Sequence, residues 1–288
     1  MAEISAASVV KLRKTSGQGM MDCKNALTEA NGDMDKAMEI LRKKGLATLA
    51  KREEKDTTEG LVIGKTSADG KTAVMATLCC ETDFVAKNDD FVAAANALAD
   101  YAMACTANEG TENLLETSVG GRNYRDILME TVSKTGEKIK VGDYAKFNLA
   151  GSGLICTYIH FNKKVGTMVK IETSDDKTAA AVEMKQIAAD IAMHITATKP
   201  LALDESGVSQ EVIQQEKVIY ADQVKNKPAD IIDKIVQGKL NKFFAENCLL
   251  PQPFVKDDSK TVAEVLAEAA KKAGGTAKIA KFVRFGVG

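Results

Sequence analysis

The chain has 288 residues and a formal net charge of −1, because 39 Lys and Arg nearly balance 40 Asp and Glu. Its composition, 45% hydrophobic and 27% charged with 4 prolines, is typical of a folded, helix-rich protein. There is no global basic field to hold a phosphate backbone, so we expect no direct nucleic-acid partner. Without a leader-like start or an apolar run of about 18 residues, the sequence predicts a cytoplasmic protein with no membrane partner.

Metal, redox and hydrolytic chemistry are not expected. None of the six cysteines shows the C-x-x-C spacing of a zinc or redox site, and buried thiols are the simpler interpretation. The two histidines, His160 and His194, are too few for a typical metal cluster and form no recognisable triad. His194 follows Asp190 by one helical turn, which favours a satisfied surface histidine. We therefore expect no cofactor, no metal and no catalytic residue.

Residues 5–45 predict three short helices that form a compact domain. Ser5, Asp22 and Asp33 each precede an apolar helical stripe and are candidate N-caps. Gly45 is expected to end the third helix. The polar and charged residues 46–59 then look like a linker.

A hairpin followed by a helix is predicted twice in the central part of the chain. Residues 61–66 and 72–80 flank a turn at Asp69-Gly70, and a helix is expected over residues 89–104. The same order returns in a hairpin over residues 153–173 and a helix that follows it. Because Glu-Thr at the strand end and an Ala-Asp-x-Ala-Met run in the helix also recur, we infer two related subdomains.

The last third of the chain predicts a helical pair and a terminal unit. Helices are expected over residues 210–224 and 229–244, joined by Asn226-Lys227-Pro228. A capping box at Thr261-x-x-Glu264 predicts a further helix, and alternation predicts a strand over residues 279–287. The apolar positions of the pair exceed what two isolated helices bury between themselves, so it is expected to protrude and to contact a second copy.

Two glycine-rich stretches resemble phosphate-binding loops only in part. In Gly17-Gln18-Gly19 the third glycine of the dinucleotide pattern is replaced by Asp22, and no strand precedes it. In Gly64-Lys65-Thr66 the first glycine of a P-loop is replaced by Glu59, and the segment lies in a predicted strand. Nucleotide binding by this chain is therefore not expected.

Two apolar segments leave alternatives open. Met20-Met21 precedes Asp22 in what looks like a loop, where methionines either fill the core or form an adaptable contact surface, and the residues alone favour the core. Thr82-Asp83-Phe84-Val85 ends a central strand. On its own, that segment favours core packing by Phe84 with a helix-capping Asp83.

Several of these segments closely resemble the bacterial elongation factor Ts family, in the right order and over nearly the whole chain. The two long ones are residues 12–27, around Thr-Ser-Gly-Gln-Gly-Met-Met-Asp-Cys-Lys, and residues 81–88, Glu-Thr-Asp-Phe-Val-Ala-Lys-Asn. Shorter ones are Tyr-Ile-His at 158–160, Ile-Ala-Met-His at 191–194, Thr-Lys-Pro at 198–200, Gln-Pro-Phe-Val at 252–255 and Phe-Val-Arg-Phe at 282–285.

The resemblance implies an α+β fold and a protein that promotes nucleotide exchange on the GTPase elongation factor Tu. It implies that Thr82, Asp83, Phe84 and Val85 intrude beside the magnesium bound to that partner. It further implies docking contacts from Arg13, Met20, Met21, His160 and His194, and a homodimer or a heterotetramer with the partner. Thr15-Ser16-Gly17 and Phe285-Gly286-Val287-Gly288 depart from the family pattern.

The sequence divides into six parts on this basis. They are the ubiquitin-associated-like docking domain (1–45), the linker (46–59), core subdomain N (60–148), the first part of core subdomain C (149–200), the helical pair (201–247), and the completion of the core with the carboxy-terminal module (248–288). An adaptor built on the first domain alone is the second hypothesis, but it leaves residues 82–85 without a role. An enzyme comes third.

Overall fold

The computed structural model describes residues 4–16, 18–225 and 228–288. These residues form an α+β fold in which the sheets are antiparallel, as the sequence predicts. Gly17 and the Asn226-Lys227 part of the predicted connection lie outside the described residues. Within the described ranges, none of the helices combines the length and the apolar character that crossing a bilayer requires.

The amino-terminal helices are α1 (Ala6–Ser16), α2 (Met20–Glu29) and α3 (Met34–Lys51). Two of the three predicted caps are confirmed. Ser5 Oγ accepts a hydrogen bond from the Ser8 N–H at 3.1 Å, and the Asp33 carboxylate accepts from the N–H groups of Asp35 and Lys36. The apolar faces of the three helices meet in a small core whose fully buried members include Leu12, Cys23 and Leu27.

Two predicted boundaries in this unit are wrong. Helix α2 begins at Met20, with Gly19 in the cap position, so Asp22 lies in the first turn and does not cap the helix. A carboxylate there still stabilises the helix through its dipole. Helix α3 does not end at Gly45 but continues to Lys51, because the glycine is buried against a second helix and is not in the left-handed conformation that ends helices.

The central residues build the first sheet and its helices. In chain order they form β1 (Glu59–Thr66), β2 (Thr72–Cys80), α4 (Asp83–Ala86), α5 (Asp89–Ala104), α6 (Thr111–Glu116), β3 (Ser118–Val119), β4 (Arg122–Asn123), α7 (Tyr124–Thr135) and β5 (Lys140–Asn148). The strand order is β1-β2-β5. One hydrophobic core, the first core, joins this sheet to its helices, and Phe91, Leu98 and Tyr124 are fully buried in it.

The remaining residues build the second sheet. In chain order they form β6 (Gly153–Ile159), β7 (Val165–Thr173), α8 (Asp176–Ala180), α9 (Val182–Thr198), α10 (Gln210–Asp222), α11 (Ala229–Asn247), β8 (Pro253–Phe254), β9 (Asp257–Thr261), α12 (Val262–Lys272) and β10 (Ala277–Gly286). The strand order is β6-β7-β10. The predicted capping box of α12 is present, with reciprocal bonds between Thr261 and Glu264.

The two sheets share one arrangement. Each is a hairpin followed by a short helix and a long one, and in each a later strand pairs antiparallel with the second hairpin strand. The recurring Glu-Thr pair stands at the end of β2 in one half and within the end of β7 in the other. A third cluster, which includes Val62, Met75 and Met168, packs residues of both sheets against each other.

Helices α10 and α11 pack against each other. Helix α10 has no buried residue, and Val218, Ile219 and Ile231 of the pair are exposed. A small cluster around Val208 and Cys248 joins the base of the pair to the chain before it. The homodimer or heterotetramer expected for this protein stays a prediction.

Helix α3 packs closely on α7. A Cβ atom added to Gly45 would lie 2.6 Å from both Met129 O and Ser133 Oγ. The Ser133 hydroxyl donates to Leu41 O at 3.2 Å, and Arg42 forms an ion pair with Asp126. Residues 46–51 are therefore part of a docked helix and not of a linker, and Leu49 packs against the first core.

We predict that Gly45→Ala lowers the free energy of unfolding by about 1 to 3 kcal/mol, because the new methyl group must push α3 away from the backbone of α7. Gly238→Ala in α11 is the matched control: nothing lies within 4 Å of its added Cβ, so only the helix propensity changes, by about 1 kcal/mol in the stabilising direction. Urea denaturation measures both. An alanine at position 45 that stabilises the protein as much as the control would contradict close packing of α3 on α7.

Candidate partner-binding surface

The segment Thr82–Val85 forms the start of α4 at the end of β2, and it turns Phe84 into solvent. Thr82 is the N-cap, and its Oγ1 accepts from the Val85 N–H at 3.3 Å. Val85 packs against the first core, whereas the Phe84 side chain is 82% exposed. Core packing by Phe84, with Asp83 as the cap, is therefore wrong.

Glu137 holds this segment in place, although nothing in the sequence singled it out. One oxygen of its carboxylate, Oε2, accepts from the N–H groups of Glu81 and Thr82, both at 3.1 Å. The other, Oε1, accepts from the Thr82 hydroxyl at 2.6 Å. Hydrogen bonds to a charged acceptor are stronger than neutral ones, so the carboxylate fixes the backbone that carries Phe84.

Two further contacts reinforce the same strand end. The Glu81 carboxylate pairs with Arg52, just beyond α3, at 2.6 Å and accepts from the Lys138 N–H at 2.6 Å. Burial raises the pKa of the Cys80 thiol to about 12, so Sγ–H stays protonated at neutral pH and donates to Thr82 O at 3.3 Å. The segment is thus held from α3, from β2 and from the chain that precedes β5.

Charged side chains lie close to Phe84 in the same segment. The Lys87 ammonium donates to the Asp83 carboxylate at 2.7 Å, and this bond, with a smaller effect of the Lys164 charge, holds the pKa of Asp83 below its ordinary value. Lys164 itself pairs with Glu59 at 2.7 Å. Asp83 is therefore ionised at neutral pH, beside an exposed aromatic ring.

The turn between β6 and β7 reaches the same surface. Val62 of β1 donates its N–H to Lys163 O at 2.7 Å, so the turn lies against the first sheet. His160 is half-buried, and its Nδ1 lies 2.9 Å from the Tyr158 hydroxyl. Phe161 beside it is 87% exposed. The sequence patterns did not single out Phe161.

His194 is not a surface residue, and in this conformation its side chain cannot reach a partner. It is fully buried, with Nε2 at 2.8 Å from Gln252 Oε1, while Nδ1 accepts from the Val255 N–H at 3.2 Å. That pair of contacts places the proton on Nε2. Burial lowers the pKa of His194, so the imidazole is neutral at neutral pH. Its hydrogen bonds hold the chain around Gln252 and Val255 in place.

Met20, Met21 and Arg13 lie on a different unit, the first two helices. The two methionines open α2, and their side chains are 44% and 63% exposed, so the core interpretation is wrong. Arg13 is exposed on α1. Of the predicted contact residues, Asp83 and Phe84 lie in a segment that Lys164 of the β6–β7 turn approaches, and His160 lies in that turn. Arg13, Met20 and Met21 are exposed on the first two helices, and His194 is buried.

The glycine-rich segment Gly64-Lys65-Thr66 belongs to β1, and its residues pair along β2, so it forms no loop around a phosphate. Gly17 of the other such stretch lies outside the described residues. In the part of the chain that the structure describes, no three His, Cys, Asp or Glu side chains converge as a metal site would require.

We predict that the stability of the protein falls as the pH drops below about 6.5, in part because of His194. Its folded-state pKa is lowered, so the unfolded chain binds a proton at a pH where the folded protein does not. His194→Gln should remove part of this dependence. Thermal melts of both proteins from pH 8 to pH 5 measure it, and equal slopes would contradict a buried neutral histidine.

The chain is similar to known proteins over nearly its whole length. The family model described as Elongation factor TS matches residues 81–288. Elongation factor Ts of a Nitratiruptor species is 44% identical over 287 residues, which cover 99% of this chain and 93% of the relative. That of Clostridium perfringens is 41% identical over 284 residues (98% and 92%), and that of Alkalilimnicola ehrlichii is 40% identical over 287 residues (99% and 92%). The chain therefore belongs to the elongation factor Ts family, whose members are translation elongation factors.

Proposed function

We propose that this protein is a guanine nucleotide exchange factor for elongation factor Tu and acts without covalent chemistry. The observation that carries the proposal is the fixed exposure of Phe84 beside the ionised Asp83. Three hydrogen bonds from Glu81 and Thr82 to Glu137 fix the backbone just before Phe84, and its ring stays in solvent. An exposed apolar ring is unfavourable in a free protein, so it points to insertion into a partner.

The mechanism follows from linkage. A factor that binds nucleotide-free Tu better than nucleotide-bound Tu must weaken nucleotide binding by the same ratio. The magnesium ion on Tu is an effective target because it bridges the phosphates and the protein. In this proposal Phe84 occupies an apolar pocket of Tu, while Asp83 competes for groups that hold the ion and thereby promotes GDP release.

The rigid support of the segment makes insertion less costly. A loop that must be ordered on binding loses conformational entropy, whereas a segment ordered beforehand does not. Thr82 contributes its cap, and Val85 contributes its packing on the core. Both therefore act as positioning residues rather than as contacts.

The amino-terminal helices supply the second part of the proposal. We assign docking on Tu to the ubiquitin-associated-like unit α1–α3 through Arg13, Met20 and Met21, since two exposed methionines at a helix start form an adaptable apolar contact. His160 contributes to the core contact with Tu. The proposal places the protein in the cytoplasm, where bacterial translation takes place.

We predict that Phe84→Ala lowers exchange efficiency about tenfold to a hundredfold, since filling an apolar pocket with a Phe side chain contributes roughly 1.5 to 3 kcal/mol. The melting temperature should not change, because the ring is exposed. The release of labelled GDP from Tu measures the first quantity. Phe91→Ala is the matched control: it removes a fully buried ring, so it should destabilise the protein by about 3 to 5 kcal/mol. Normal exchange by Phe84→Ala would disprove the proposal.

We further predict that Glu137→Gln slows exchange several-fold although it never contacts Tu. A neutral amide is a weaker acceptor than a carboxylate. It also replaces one accepting oxygen with an NH₂ group, which then faces a donor of Glu81 or Thr82. Glu112→Gln, at the surface of α6, is the control and should exchange GDP normally. If Glu137→Gln matches this control in exchange, the ordered state of the segment does not matter.

A further inference from the structure

Phe161 is the most exposed large apolar side chain in the described residues, with 87% of its surface in solvent against 82% for Phe84. Its ring is adjacent to the imidazole of His160, with 4.4 Å between the ring centroids. An aromatic side chain at a turn contributes nothing to hairpin geometry, which glycine, asparagine or aspartate would serve better. The exposure therefore needs a reason outside the free protein.

The backbone under Phe161 is fixed on both sides. His160 N–H donates to Val165 O at 2.9 Å, and Lys163, in the left-handed region with φ of 55°, donates its N–H to His160 O at 2.8 Å. Lys163 O accepts from Val62 of the first sheet, and Lys164 O accepts from the Val287 N–H at 2.9 Å. The turn is thus held between β1 and the end of the chain, and it presents the ring outward.

This turn and the segment Thr82–Val85 belong to one surface. Lys164, at the end of the turn, pairs with Glu59, and Glu59 lies opposite Cys80 in the β1–β2 ladder, two residues before Thr82. The Lys164 charge is also felt at Asp83. Two ion pairs therefore lie close to the two exposed phenyl rings along the chain: Asp83–Lys87 is in the helix that carries Phe84, and Glu59–Lys164 ties down the turn that carries Phe161.

We propose that Phe161 is a second apolar anchor that binds the same GTPase partner as Phe84 and determines the affinity of the complex. The inference rests on the proposed function. It assigns the two rings different tasks: Phe84 acts beside the nucleotide site, and Phe161 holds the factor to a neighbouring apolar recess of that partner. Lys87 and Lys164 are both paired with carboxylates, and charges that are already paired favour contact with a protein over contact with phosphate or a lipid headgroup.

The test is the GDP release rate as a function of factor concentration, for the full chain with Phe161→Ala. The concentration for half-maximal acceleration should rise about tenfold or more, while the saturating rate stays within about twofold. The melting temperature should not change. Phe161→Leu keeps an apolar side chain, so its half-maximal concentration should rise less than that of Phe161→Ala. Val182→Ala is the control, because Val182 is 77% exposed but follows the opposite end of β7 from the turn.

An unchanged half-maximal concentration for Phe161→Ala would overturn the inference. So would loss of self-association by light scattering with normal exchange, since the ring would then contact a second copy of this chain. Phe84→Ala, measured alongside, separates the two proposals. If Phe84→Ala slows GDP release while Phe161→Ala behaves as the unmodified protein, only the proposal of a second anchor fails. If both variants behave as the unmodified protein, the proposed function fails as well.

Discussion

One interaction fixes the segment on which the proposed function depends: the Glu137 carboxylate accepts three hydrogen bonds from Glu81 and Thr82. Without it, two N–H groups at the end of β2 would have to find water, and the turn that follows would lose its fixed direction. With it, the backbone of α4 is set, Val85 points to the core and Phe84 points away. The exposure of Phe84 is therefore a property of the fold and not of a mobile loop.

The same strand end connects the parts of the molecule. Glu81 joins the end of α3 through Arg52, so the amino-terminal helices, docked on α7 by Gly45, share a support with the proposed exchange segment. The second sheet reaches it through Lys164 and Glu59. A partner that binds all three units therefore meets a preorganised surface and loses little conformational entropy on association.

The sequence predicts the regular part of this fold well. Strand β2 and helix α5 have the bounds that periodicity and the Asp69-Gly70 turn indicated, because their apolar patterns and caps are local. Helix α7 and strand β5 were not predicted, and Glu137, which lies between them, was missed as well. Glu137 contacts residues more than fifty positions away, and a single sequence gives no local signal for such a pairing.

For three of the candidate site residues the sequence also predicts burial, and the structure contradicts each of these predictions. The sequence favours a core position for Phe84 and for the two methionines, and all three side chains are exposed. It favours a surface position for His194, which is buried. The face of the helix on which a residue lies determines its burial. Val85 and Phe84 are adjacent in α4 but lie on different faces, and His194 lies on the buried face of α9 with Ile191 and Ile195. Only the family resemblance indicated the exposed ring.

The most direct test of the central claim is the magnesium dependence of exchange. Displacement of the ion predicts that the factor accelerates GDP release from Tu strongly in millimolar magnesium. The acceleration should become much smaller once a chelator has removed the ion, because the factor then has no magnesium to displace. Stopped-flow release of fluorescent GDP measures both conditions on one sample. An equal fold acceleration with and without magnesium would contradict the account.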